Sequence, residues 1–226
     1  MIKAVLFDLY ETLISEFANG SRKVPRLNDF QEQWGLTKQE YDEEWRVRQV
    51  RRMNGTFPDF PSVLRDMWQS KGKTLDEAYL QSLYQARLEA KKVPFDEISP
   101  NIIYMLKQLK SRGVRIGMIS NCTEEEVRAW DRSTLAPYFD DAVFSYTTGY
   151  AKPDKEIYQL SLRNLKVDPR EAIFVGDGGS RELDGAAAAG LQAFHATWFL
   201  SEHFSGKITG FEKLAQPQDL LERFTG

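Results

Sequence analysis

Short apolar runs that close on polar residues recur along this chain, and they constrain its fold more than any other feature. Ile2, Ala4, Val5 and Leu6 lead into Phe7-Asp8-Leu9-Tyr10-Glu11-Thr12-Leu13, and Val114–Ile119 leads into Ser120-Asn121. Ala142–Tyr146 precedes Gly149-Tyr150-Ala151-Lys152-Pro153-Asp154, Ala172–Val175 precedes Gly176-Asp177-Gly178-Gly179, and Gln192–Phe194 is a fifth, short run. Such runs read as buried strands. Helical patterns separate them. Asn101–Arg112 sets Ile102, Ile103, Leu106 and Leu109 on one side and ends at Gly113. A second helix follows Asp154 through Leu165, and Ser180 is expected to cap an alanine-rich one that stops at Gly190. Strands alternating with helices predict an α/β fold, a parallel doubly wound sheet with right-handed crossovers.

Between the first strand and the rest, the pattern changes. From Ser15 to Pro94 the chain is charged, aromatic and helix-like. Helices are expected over Arg26–Trp34, Thr37–Met53, Ser62–Ser70 and Thr74–Lys91. Thr37 with Glu40, and Thr74 with Glu77, have the spacing of capping boxes. Asn54-Gly55 and Phe57-Pro58 break the second helix. The domain division is then 1–14 with 95–226 as the α/β core and 15–94 as a helical insertion. The stretch Trp45-Arg46-Val47-Arg48-Gln49-Val50-Arg51-Arg52 is the most basic in the chain. It reads as a solvated face paired with Asp42, Glu43 and Glu44, with an anion grip as the alternative. Trp34, Phe57, Phe60 and Trp68 read as the insertion's own core.

Composition excludes several classes. A formal net charge of -3 gives no expectation of nucleic-acid or anionic-membrane binding. No apolar run approaches a bilayer span, and one cysteine rules out an internal disulfide. A cytosolic location is the expectation.

The polar residues at the strand ends fall on the one edge where open α/β sheets bind ligands. There Asp8 is a candidate nucleophile, able to form a covalent intermediate that water cleaves. Thr12 can tie down the turn through its hydroxyl. Ser120 and Asn121 offer donors for anionic oxygens, and Lys152 a positive charge. Asp177 and Glu182 bring two more carboxylates, which would raise one another's pKa values unless a cation sits among them. Mg²⁺ suits carboxylates that share it with waters and a phosphate. Asp184 is an alternative to Glu182, but about 200° separates them on a helix, so one alone should face the site. Cys122, His195 and His203 read as structural.

Together FDLYETL, the strand ending ISN, AKPDKEIY and FVGDGGSRELDGAAAAG resemble the four motifs of the haloacid dehalogenase (HAD) superfamily, in order, with the insertion placed like its early helical cap. The resemblance implies a Rossmann-like core and hydrolysis of a small anionic substrate. It makes Asp8 nucleophile and Mg²⁺ ligand, the Tyr10 main-chain carbonyl a further ligand, and Thr12 a support of the loop. Ser120, with Asn121, would hold the transferred group, Lys152 would stabilise charge, and Asp177 and Glu182 would complete the metal site. One position departs from it. Phosphatases of the family usually carry aspartate two residues after the nucleophile, whereas its 2-haloacid dehalogenases carry tyrosine, as here at Tyr10. The retained Asp177 and Glu182 favour a Mg²⁺-dependent phosphatase of a small metabolite. A metal-independent 2-haloacid dehalogenase and a low-turnover phospho-ligand-binding protein remain the alternatives.

Overall fold

Six parallel strands form one sheet in the order β5-β4-β1-β6-β7-β8. In chain order the strands of the computed structural model, which describes residues 2–25 and 34–224, are as follows. β1 is Ala4–Phe7, while β2 (Phe17–Ala18) and β3 (Ser21–Arg22) make a small antiparallel hairpin outside the sheet. β4 is Arg115–Ser120, β5 Asp141–Phe144, β6 Ala172–Gly176, β7 Gln192–Ala196 and β8 Glu212–Leu214. β1 lies between β4 and β6, with Leu6 opposite Gly117 on one side and Phe174 on the other. The chain turns outward on both sides of β1, so a crevice opens beyond its carboxyl end.

Every residue of β1 is buried because both faces of the sheet are covered. The strand period of two divides them. Val5 and Phe7 join Ile102, Met105, Leu106 and Leu109 of the helix Pro100–Ser111. Ala4 and Leu6 join Ile157, Leu162 and Leu165 of the helix Lys155–Leu165 on the other side.

The insertion is helical as expected, with shifted boundaries. The expected helix over Thr37–Met53 is two, Lys38–Val47 and Gln49–Met53, and Thr37 closes the predicted capping box with Glu40. The break falls at Arg48, whose guanidinium is drawn inward to Glu44 and Asp66. The helix expected from Thr74 is instead Glu77–Asp96, because Asp76 supplies the cap to Tyr79 N–H at 2.8 Å. It runs through the boundary expected at 94/95. Phe60–Ser70 completes the set, with Trp34, Phe60, Leu64, Met67, Trp68, Leu80 and Leu83 as a core of their own. The helix expected over Arg26–Trp34 lies, apart from Trp34, outside the described residues. Gly55 lets the insertion touch the sheet domain closely: a Cβ there would lie 2.0 Å from the Tyr146 carbonyl oxygen.

Two further differences lie near the carboxyl terminus. The tail from Ser201 is weakly patterned, with a closing helix expected over Gln218–Phe224; it contributes β8, which that pattern does not predict, and its closing helix, Pro217–Phe224, is 3-10. Among the described residues no helix is long and apolar enough to cross a membrane.

Candidate active site

Asp8 follows β1 directly, and its N–H donates to the Val175 carbonyl of β6 at 2.9 Å. That bond fixes the carboxylate at the crevice floor. Thr12 Oγ1 donates to Asp8 Oδ2 at 3.1 Å, so the loop hydroxyl does hold the carboxylate. Trp198 Nε1 in turn holds the Thr12 carbonyl at 2.8 Å.

Lys152 Nζ donates to both Asp8 Oδ1 and Glu182 Oε2. All three groups are buried. Asn121 positions this lysine: its Nδ2 donates to the Lys152 carbonyl at 2.8 Å, and its Oδ1 accepts from Lys152 N–H at 2.7 Å. Oδ1 and one of the two Nδ2 hydrogens of Asn121 are therefore engaged with backbone, which gives the side chain a part in holding Lys152 and leaves it one N–H. Ser120 ends β4 and is buried beside it.

The third group comes from the turn after β6. Asp177 accepts from Gly179 N–H at 2.9 Å and is half-buried. Ser180 and Arg181 both take left-handed backbone, at φ 53° and 54°, so the helix starts at Glu182 and Ser180 is not its cap. Non-glycine residues take that conformation at a cost, which functional sites commonly carry. The turn delivers Glu182 inward, where Oε1 accepts from Gly178 N–H at 3.0 Å. A Cβ at residue 176 would lie 2.1 Å from that oxygen, so only glycine ends β6 here. Asp184 points outward to Arg181.

Asp8, Asp177 and Glu182 each bring a carboxylate oxygen within 4.8 Å of the others. Burial and then the charge of Asp8 push Asp177 up to about 6. The same two causes raise Glu182 well above the usual carboxylate range. Burial works against the charge on Lys152, but Asp8 and Glu182 outweigh it and raise its pKa. One ammonium faces three carboxylates, an excess of negative charge that a hard divalent cation with oxygen ligands would relieve. The donor set thus fits Mg²⁺.

The Tyr10 side chain is tied to the helix Glu124–Val127. Its hydroxyl donates to the Glu126 carbonyl at 2.6 Å, and Lys91 Nζ lies 5.0 Å from its ring centre. Burial, then Glu126 and Glu16, raise its pKa well above the usual phenol. Around it runs an ionic cluster that joins the insertion to the sheet domain. Arg87 pairs with Glu125 and Glu126, and Lys91 with Glu16 and Glu126. Sequence reading does not single out these partners. Glu126 is visible only as the far end of the Thr123 capping box, and Arg87 lies 39 residues from it. Cys122 is buried, which pushes its thiol up, and His195 is buried on β7 opposite Gly176.

The chain is similar to several known proteins. Similar at 30% identity over 208 residues, covering 89% of this chain and 88% of the relative, is the glyceraldehyde 3-phosphate phosphatase of Methanothermobacter thermautotrophicus. Two solved structures share the fold. A HAD phosphatase from Thermococcus onnurineus superposes with TM-score 0.67 at 20% identity, covering 100% of this chain and 99% of that one. The L-2-haloacid dehalogenase of Xanthobacter autotrophicus, with chloropropionic acid covalently bound, gives 0.62 at 23% identity over 100% of both. The pattern of the haloacid dehalogenase-like hydrolases matches residues 2–190, and the chain belongs to that family of hydrolases.

Proposed function

We propose that this hydrolase is a Mg²⁺-dependent phosphatase of a small phosphorylated metabolite, with Asp8 as nucleophile. The observation that carries the reading is the set of three carboxylates within 4.8 Å of one another beside a single lysine. Displacing halide from carbon needs no cation, and two extra carboxylates beside the nucleophile would then be a burden without a use. Phosphoryl transfer needs charge neutralised on the transferred group, which gives the excess carboxylates a purpose. The name of the Methanothermobacter relative points the same way.

In this reading Asp8 attacks phosphorus, the ester oxygen leaves with the bond electrons, and water later cleaves the aspartyl phosphate. Thr12 holds one Asp8 oxygen and leaves the carboxylate a fixed direction. Lys152, set by Asn121, offsets charge on Asp8 and on the phosphoryl oxygens, which Ser120 would hold. Asp8, Asp177, Glu182 and the Tyr10 carbonyl would hold Mg²⁺, directly or through water, and the ion would supply further neutralisation of the phosphoryl group. Tyr10 gives no proton to the leaving oxygen, since its hydroxyl is committed to Glu126 and its ionisation is pushed up. Substrates whose leaving group needs little protonation, such as acyl or aryl phosphates, are therefore turned over best.

The reading includes a division into core (1–14, 95–226) and cap (15–94), with the cap closing over Asp8 and excluding water. It also carries a cytosolic location, since Cys122 leaves no disulfide that would need an oxidising compartment. The test is release of phosphate and of halide from small panels, each with Mg²⁺ and with EDTA. Halide release that EDTA leaves untouched would replace this reading with the dehalogenase.

A further inference from the structure

The basic stretch of the insertion contains four arginines, and the structure gives three of them ordinary partners. Arg46 pairs with Glu43, Arg48 with Glu44 and Asp66, and Arg51 with Asp66. Arg52 differs. Among the described residues no carboxylate lies within ion-pair distance of it; its one side-chain bond runs from Nη1 to Gln49 Oε1 at 3.1 Å. Its guanidinium carbon sits 4.4 Å from the ring centre of Trp45. Arg52 Nε and Trp45 Nε1 are both buried, and neither has an acceptor. Two orphaned donors on stacked neighbours are costly, since each forgoes its water without gaining a bond.

The surroundings say which side of the molecule this is. Trp45 stacks on Phe60 at 5.8 Å, and Arg87 lies over Phe60 at 4.7 Å. Arg87 in turn pairs with Glu126, so contacts run from Arg52 through Trp45, Phe60 and Arg87 to Glu126. Glu126 is the residue whose carbonyl holds the Tyr10 hydroxyl, two positions from Asp8. Arg52 thus belongs to the contact network of the insertion that reaches the first motif through Glu126 and Tyr10. The other cations of the cluster, Arg22, Arg87 and Lys91, share Glu16, Glu125 and Glu126 among them. Among the described residues Arg52 alone of these cations makes no ion pair.

We propose that Arg52 and Trp45 form a donor site for a carboxylate at the far end of the substrate, so that the enzyme selects small phosphorylated acids. This rests on the phosphatase reading for the other end of the same molecule. A carboxylate fits because it brings one negative charge to one unpaired guanidinium, and its two oxygens can take a guanidinium N–H and the indole N–H together. The indole face keeps the guanidinium planar and dry, which strengthens a charge-assisted bond.

Two matched pairs of ligands test it: phosphoglycolate against ethyl phosphate, and 3-phosphoglycerate against glycerol 3-phosphate. Dissociation constants are measured by calorimetry in Mg²⁺ on an Asp8→Asn background, where turnover is blocked. The acid should bind at least about tenfold tighter than its uncharged counterpart in one pair or both, as expected of a charge-assisted bond. Arg52→Gln should bring that ratio close to one, and Trp45→Phe, which keeps the stack but removes the N–H, should reduce it severalfold. A preference that survives Arg52→Gln and Trp45→Phe overturns the proposal, as does the absence of any preference in the parent. Lower stability in Arg52→Gln with selectivity intact also overturns it, leaving Arg52 as a counter-ion of Glu125 and Glu126. The phosphatase reading is scored separately, by phosphate release from the protein with Asp8 intact. An Arg52-dependent preference in a protein that releases no phosphate would keep the carboxylate site and discard the phosphatase.

Discussion

Asn121 grips the main chain of Lys152 at both ends of its carboxamide, donating to the carbonyl at 2.8 Å and accepting from the N–H at 2.7 Å. The two residues lie 31 positions apart, on loops that leave β4 and β5. The bond pair fixes where the ammonium can reach, and so which oxygens of Asp8 and Glu182 it meets. Asn121→Ala should leave two backbone groups unsatisfied and let Lys152 wander. We expect kcat to fall by about 100-fold with KM changed less, because misplacement of a charged group by an ångström has that scale. Stability should fall by about 1–3 kcal/mol. Steady-state kinetics and urea denaturation on one preparation measure both.

The arginines of the insertion should separate sharply in their effect on stability. Arg48 is 5% exposed and holds Glu44, Asp66 and Ser70. Arg48→Ala leaves Glu44 to Lys71 and Asp66 to Arg51 but strips both of buried hydrogen bonds, and we expect a loss of about 1–3 kcal/mol. Arg46 is exposed and paired only with Glu43. Arg46→Ala should cost less than about 0.5 kcal/mol. Equal effects in denaturant titrations would mean that the inward turn at Arg48 does not hold.

The solvated-face reading of this stretch holds for Arg46 and misses Arg48, and the reason is physical. Sequence spacing shows which residues share a helix face, but not that the chain would leave helical geometry at Arg48 to meet Asp66, 18 residues on. What was legible was local or periodic: β1, β4, β5 and β6, the helices between them, the cap at Thr37, and the gathering of Asp8, Lys152, Asp177 and Glu182 at one sheet edge. The rest depends on contacts far apart in the chain or on competing caps. β8 forms because Leu214 and its neighbours find β7 as a partner, not because Glu212–Leu214 has a strand's pattern. Asp76 displaces Thr74 as a cap because it sits next to the first helical residue. The hold of Asn121 on Lys152 is likewise a contact between two loops, which sequence spacing does not show.

The ionic cluster beneath the insertion should give a defined acid limb. Burial pushes the Glu126 carboxyl up, but Lys91, Arg87 and Arg52 outweigh that and hold it well below the usual range. A carboxylate whose folded pKa is depressed contributes stability that is present above its unfolded pKa and lost as pH falls further. Thermal unfolding between about pH 6 and pH 3 should therefore show stability falling below about pH 4.3, the ordinary glutamate value. Glu126→Gln should be less stable at pH 7 and show a shallower acid slope. An unchanged slope would remove Glu126 from the account.

Tyr10 gives a prediction with two arms. Tyr10→Phe loses the bond to the Glu126 carbonyl and should cost about 1 kcal/mol of stability, with kcat nearly unchanged. The rate profile between pH 8 and pH 10 should show no limb from Tyr10, because its ionisation is pushed above the ordinary phenol. Tyr10→Asp should raise turnover of alkyl phosphates more than that of aryl phosphates, by supplying the missing proton donor. A fall in every phosphatase rate on that substitution would instead give the tyrosine a part in the chemistry.

The central claim is that Asp8, Asp177 and Glu182 hold Mg²⁺ for phosphoryl transfer, and Asp177 tests it most directly. Its carboxylate is the one of the three that Lys152 does not hold, and it is the least buried of them. Thermal unfolding with and without Mg²⁺ is measured on the parent and on Asp177→Ala, alongside release of phosphate from an aryl phosphate. The account predicts that Mg²⁺ raises the Tm of the parent, that Asp177→Ala abolishes the rise, and that phosphate release falls with it. A parent whose Tm and hydrolytic rate are the same in Mg²⁺ and in EDTA would contradict it.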